Sequence, residues 1–418
     1  MKRENKAPLF ALLSFICSLV AAEPAWTRDL SVLYTDPQLM KPVHEAFSAE
    51  FATAHPGEQV KFTVASQYTE ALQRTLRDAI TGSEPDLSFQ GLNNICVLAD
   101  RGLAKPFDDL IAGDEGWKKQ GLPPEALDIG KCHGKIYGIP LGISFPVVKF
   151  NKALVKQAGG NPDELPRTWP EIFALAKKIQ ASSGGIYFTY DSQGHFTFMG
   201  LVLSLGGKIL SEDGKAIAFD SPEGLAAVRI IAQIATLRAG VDMTPTQARQ
   251  AFKAGSLGII LDSSSNLPGD QQAAAGHFEI GVIPMPLTEN GRLSPSGMAA
   301  VLLTDDADAQ RQAWDYVKYA SSAEGQTVVG QLTGFVPLNR SAINDPAFLG
   351  QVFSKDPTRQ VVASNVEHMT AWPVFPGPNG PAINQAILDQ LQNVATLKAT
   401  PEEALKKMST QATALLQK

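Results

Sequence analysis

Residues 134–159 read GKIYGIPLGISFPVVKFNKALVKQAG, and the fold turns on this stretch. Two β-rich pieces, KIYGIP and PVVKFN, flank a Gly-Ile-Ser turn and lead straight into a helical segment. A chain that leaves one sheet for another has this form.

On the N-terminal side the rhythm is strand, helix, strand, helix, strand. DLSVLYTD is a β-branched run, and Val43, Phe47 and Phe51 recur at spacings of four in the helix that follows. KFTVAS alternates, the next helix closes at Gly82, and DLSFQG is the third strand. This order predicts an α/β sheet with crossover helices. On the C-terminal side Thr168 caps a helix opening at Trp169-Pro170, and Asp220 or Ser221 caps another. LGIILD, FEIGVIPMP and SPSGMAAVLLTDD read as strands, residues 307–331 as one long helix, and the C-terminus as a helix pair. In TGFVPLN, residues 333–339, Gly334 reads as a left-handed helix cap and Val336-Pro337 as extended chain.

At 418 residues, 44% of them hydrophobic, the chain exceeds one ordinary domain, so two lobes are expected. Thirty-six basic against 42 acidic residues give a net charge of −6 with no polybasic run, which argues against nucleic acid as a partner. Lys2, Arg3 and Lys6, an apolar run from Leu9 to Val20, and Ala21-Ala22 form a secretory signal over residues 1–22, with cleavage after Ala22. That run is too short to span about 30 Å of hydrocarbon. Cys96 and Cys132 remain in the mature chain. They fit either a disulfide in an oxidising compartment or two small buried residues.

A secreted hydrolase is the competing class, and its motifs are missing. The sequence has no Gly-x-Ser-x-Gly, no His-Glu-x-x-His and no Cys-x-x-Cys. The six histidines show no metal-ligand spacing, so neither metal nor cofactor is expected. LSLGGKIL departs from a phosphate loop, because isoleucine follows Lys208.

Four pieces in this order carry a resemblance: residues 83–110, residues 134–159 with RTWPEIFALAKKI, AFKAGSLGIILDSSS with PSGMAAVLLTDD, and TGFVPLN. Together they are similar to the extracellular solute-binding proteins of ABC importers for carbohydrates and glycerol-3-phosphate. The resemblance implies a two-lobed periplasmic binding protein fold of type II, α/β in class, crossing between lobes at a hinge and closing on ligand in the cleft. The expected division puts residues 23–142 and 265–332 in the first lobe and 143–264 and 333–418 in the second. Function is then expected to be capture of a carbohydrate-type ligand in the periplasm by a monomer that delivers it to permease subunits and is not an enzyme.

A sugar needs aromatic platforms and hydrogen-bonding side chains. By similarity the contact positions are Tyr34 and Asp36, Tyr68, Gln90 and Asn93, and Ser144 at the crossover. The same similarity adds Asp191 and His195, Asp262 and Ser264, Ser296 and Gly297, Phe335 and Trp372. The glycerol-3-phosphate proteins carry tyrosine where this chain has Phe335, and that phenol could hold a phosphate oxygen. A carbohydrate is therefore the expected ligand, with an anionic polyol ester or a phosphorylated or sulfonated glycoside as the alternative.

Overall fold

Strand β1 (Leu30–Thr35) buries nearly every side chain, as a strand covered on both faces does. In the computed structural model, which describes residues 28–188, 194–237, 243–370, 372–377 and 379–417, it sits inside a five-stranded sheet. Its parallel neighbours are β2 (Val60–Ala65) at the edge and β3 (Leu87–Gly91) within. The expected leader and Asp191 lie outside the described residues, and of His195 only the backbone is described.

A small hairpin, β4 (Lys131–Cys132) and β5 (Lys135–Ile136), precedes the deciding stretch. There β6 (Ile139–Ser144) belongs to the first sheet and β7 (Pro146–Asn151) to the second, with the buried Phe145 alone between them. Proline opens β7, where a strand tolerates the missing donor. The second sheet is completed by β8 (Gly184–Phe188), β9 (Leu257–Ser263) and β10 (Ile280–Pro284), in the order β10-β7-β9-β8. The chain then returns to the first sheet as β11 (Ser296–Leu302), antiparallel between β3 and β6. Two lobes of α/β structure result, joined by several chain crossings.

The strand at β10 departs from the expected division. It lies within 265–332 yet pairs with β7, Ile280 opposite Asn151, so this part of the chain stays with the second sheet. The helices Gly380–Ala395 and Pro401–Leu416 pack on Pro222–Thr236 of the same lobe.

Local signals mostly hold. Glu171 Oε2 accepts from the Thr168 amide at 3.1 Å, Ser221 caps its helix, and Gly82 takes φ 64°. The single helix expected over 307–331 is two, Ala307–Ser321 and Ala323–Leu332, broken at Ser322, which is extended and caps the second through the Gly325 amide. Gly334 is not left-handed either. Thr333, extended, ends that helix, and Gly334 serves a close chain approach instead. Cys96 and Cys132 form a disulfide with their Cα atoms 5.5 Å apart.

Candidate functional site

Between the lobes the structure opens a cleft of about 380 Å³. Its first-lobe wall follows the carboxyl ends of the parallel strands β1 and β2, with Thr35 and Asp36 after one and Ser66, Gln67 and Tyr68 after the other. Loops at strand carboxyl ends are where open α/β sheets place ligands. The second-lobe wall is Pro245, Thr246 and Arg249 of the helix Pro245–Lys253. Ser263, Ser265 and Asn266, at the end of β9, form the floor.

Helices Pro37–Ala54, Tyr68–Thr81 and Pro245–Lys253 all begin at this cleft, so the positive ends of their dipoles lie at its walls. Asp36 adopts φ 52°, a left-handed conformation that aspartate tolerates better than most side chains. Burial raises its carboxyl above the ordinary value, against opposite pulls from the Leu39 amide and the Arg249 charge. Burial also pushes the Tyr68 phenol far up, and Asp36 adds to the push. Thr35 is fully buried, and its hydroxyl has no hydrogen-bond partner among the described residues. A buried hydroxyl left so costs about 1–3 kcal/mol.

Under the second-lobe wall lies a charge network. Lys149 is 0% exposed and donates to Asp270 Oδ2 at 2.6 Å and Asp262 Oδ2 at 3.2 Å. Arg249 forks onto Asp262, Nε to Oδ2 at 3.2 Å and Nη2 to Oδ1 at 3.0 Å, and the Asn266 amide donates to Oδ2 at 3.1 Å. Burial alone would raise the Asp262 carboxyl, but Lys149 and Arg249 hold it well below the usual range. For Lys149, burial pulls the ammonium down and the two carboxylates more than reverse it.

The sequence-predicted residues distribute unevenly around this geometry. Asp36 and Tyr68 line the cleft, and Asp262 stands behind Arg249 in its wall. Asn93 and Trp372 line a separate, smaller groove between the lobes with Leu72 and Val97. Trp372 is half-buried there, its ring 5.7 Å from that of Phe196 and stacked at 18°. Ser144 and Ser264 are buried at the crossing: Ser263 Oγ donates to Ser144 Oγ, and the Phe145 amide to Ser264 Oγ. Ser296 opens β11 opposite Ser144, and a Cβ at Gly297 would stand 2.2 Å from the Gly142 carbonyl oxygen, so close chain approach alone requires that glycine.

Three predicted contacts sit in the interior of the first lobe. Tyr34 packs in its hydrophobic core. Phe335 is 4% exposed and packs over Gly142, where a Cβ would meet its own Cβ at 2.9 Å. Gln90 is fully buried and donates to Thr75 and Ser88 while accepting from Asn94. Asn94 in turn donates to the Tyr68 carbonyl at 3.0 Å, so Gln90 braces a residue of the cleft wall. Sequence reasoning missed Arg249, which lies between the buried Ala248 and a helix face like any surface arginine. A capping box at Thr244 and Gln247 marks where its helix begins but not which way the arginine points.

A family model described as bacterial extracellular solute-binding protein matches residues 46–360. Over 432 aligned residues the chain is 25% identical to a binding protein of Brucella abortus (strain 2308), covering 100% of this chain and 99% of that one. Among solved structures, UgpB of Mycobacterium tuberculosis in complex with glycerophosphocholine superposes with TM-score 0.84 at 19% identity, over 94% of this chain and 99% of that one. The maltose/maltodextrin-binding domain of Bdellovibrio bacteriovorus bound to maltotriose gives 0.76 at 18% identity, over 94% and 100%. The chain belongs to the bacterial extracellular solute-binding proteins.

Proposed function

We propose that this protein captures a carbohydrate or sugar derivative in the interlobe cleft, closes by rotation about the crossings at Phe145 and residues 333–338, and delivers the ligand to an ABC permease without chemistry. One observation carries the reading: hydroxyls, amides, one carboxylate and one guanidinium converge on a single cleft from both lobes. Groups of this kind suit a ligand that offers many hydroxyls. The ligands bound in the two similar structures, maltotriose and glycerophosphocholine, also carry hydroxyls and support the class. We place the protein in the periplasm as a monomer, with its leader cleaved after Ala22. The division of lobes we propose follows the sheets, so that residues up to 144 and from 296 to 332 move as one body.

Arg249 favours a second reading, an anionic polyol ester, because a guanidinium pairs with phosphate oxygens. A melting-temperature screen against neutral oligosaccharides and polyol phosphates tests the proposal, since a ligand of the folded state raises the midpoint. A rise with a sugar that is recovered unchanged is the expected result. Turnover of the sugar, or no rise with any sugar, overturns it.

A further inference from the structure

Among the described residues that line the cleft, Tyr68 is the only aromatic. Serine, threonine and asparagine side chains in the walls can bond ligand hydroxyls, but an aromatic platform for the C–H face of a sugar ring falls to Tyr68 alone. Whatever sets the place of that ring therefore shapes the cleft.

The main chain that carries the ring is held by buried side chains at and beyond the end of β3. Asn94, 3% exposed, donates through Nδ2 to the Tyr68 carbonyl at 3.0 Å and to Gln90 Oε1 at 3.2 Å. Gln90, fully buried, donates through Nε2 to Thr75 Oγ1 at 3.1 Å, further along the helix that Tyr68 opens, and to Ser88 Oγ at 2.9 Å. The first turn of that helix is thus tied to the sheet.

The ring itself lies against Gly91, the last residue of β3. A Cβ added to Gly91 would stand 2.8 Å from Tyr68 Cγ, 3.0 Å from Tyr68 Cδ2 and 2.7 Å from Asn93 Oδ1. Gly91 has φ −60° and ψ 144°, a conformation open to every L residue, so the backbone does not ask for glycine here. Asn93 Oδ1 is the far end of a side chain that can rotate away. Cγ is the root of the Tyr68 ring, and it moves only if the whole ring moves. The absent Cβ is the space that the ring needs.

We propose that Gly91 is a positioning residue, which seats the Tyr68 ring as the aromatic platform of the cleft. This inference rests on the cleft being the ligand site as read above. It goes further in naming the platform and the glycine that sets its place.

The test is calorimetric titration of the purified protein with maltotriose and with glycerophosphocholine, beside urea denaturation of each variant. The wild type is expected to bind at least one of the two probes, and Tyr68→Ala to weaken that probe about 10-fold, the scale of one aromatic contact. Tyr68→Phe keeps the ring and is expected to stay within about threefold of the wild type. Gly91→Ala is expected to weaken the probe about 10-fold as well, because its methyl group displaces the ring. The double variant of Gly91→Ala with Tyr68→Ala separates seating from general damage. With the ring gone the methyl group has room, so Gly91→Ala is expected to change affinity by less than about twofold in that background, and any loss of urea midpoint is expected to be recovered.

Gly91→Ala binding like the wild type overturns the seat, as does a Gly91→Ala loss of equal size with and without the ring. Should Gly91→Ala not fold, a double variant that folds supports the seat and one that does not overturns it. Tyr68→Ala binding like the wild type, or Tyr68→Phe binding as weakly as Tyr68→Ala, overturns the platform and leaves the reading of the cleft standing. A folded wild type that binds neither probe overturns the reading of the cleft, and this inference with it.

Discussion

Gly334 lies against the backbone of Ser264: a Cβ added to Gly334 would stand 2.2 Å from the Ser264 carbonyl oxygen. The Gly334 amide donates to the Ser265 carbonyl at 3.2 Å, and the next crossing contact is Val336 N to Ile143 O at 2.7 Å. Two segments that pass between the lobes are thus in main-chain contact. Gly334→Ala must push them apart, and overpacking of this kind costs about 1–3 kcal/mol. Urea denaturation of Gly334→Ala against the wild type measures it, and an unchanged midpoint would show that the contact yields freely.

Lys149 has no route to solvent, and two carboxylates depend on it. Lys149→Met keeps the volume and removes the charge, leaving Asp262 and Asp270 buried with less compensation. Breaking a buried pair from one side costs about 3–5 kcal/mol. Because the folded state holds the Asp262 carboxyl below its ordinary value, its contribution is full above the ordinary carboxylate range and is lost as pH falls through and below it. Urea midpoints measured from neutral pH down to about pH 3 should therefore fall less steeply in Lys149→Met than in the wild type.

What was legible in the sequence was local. Thr168 with Glu171, Ser221, and Gly82 each act within four residues of themselves, so their chemistry could be read without the fold. The crossing at Phe145 was legible as a change of sheet, but not its form: the Gly-Ile-Ser read as a turn is the end of β6, and Phe145 alone separates β6 from β7. Partnership across the chain was not. The pattern of β10 shows a strand but not that its neighbour is β7, and the helix holding Arg249 shows a buried Ala248 and Phe252 but not the cleft beside them. The packing of Phe335 was hidden for a related reason. Its place among the contacts came from the resemblance, whereas Gly142, almost 200 residues earlier, clears the space into which the ring packs.

His44 sits in an aromatic box, its ring centroid 4.6 Å from those of Tyr34 and Phe89, with Nδ1 3.1 Å from the Tyr316 hydroxyl. Burial lowers its pKa from 6.5 to about 3, so the folded protein keeps it neutral where the unfolded chain protonates it. The sign follows: the unfolded state binds the extra proton below pH 6.5, and stability falls from there until the folded pKa is reached. The loss approaches about 1.4 kcal/mol per pH unit, or about 3 kcal/mol between pH 6.5 and pH 4. His44→Phe should remove this dependence whatever it does to stability at neutral pH. Parallel pH slopes of the urea midpoint in the two proteins would show that His44 does not remain neutral in the fold.

The Cys96–Cys132 bridge ties the helix Ile95–Asp100 to the β4–β5 hairpin, next to the Asn93 and Asn94 that line the smaller interlobe groove. Thirty-six residues separate the two cysteines. Closing a loop of that length restricts the unfolded chain by about 4 kcal/mol in the chain-entropy account. Cys96→Ala with Cys132→Ala should lower the urea-derived stability by up to that amount, since both sites can accept a small apolar side chain. The bridge also limits how far Asn94 can move from the Tyr68 carbonyl that it supports. Dithiothreitol should therefore weaken ligand binding in the wild type and leave it unchanged in the double variant. Equal sensitivity in both would mean that the reductant acts elsewhere than on this bridge.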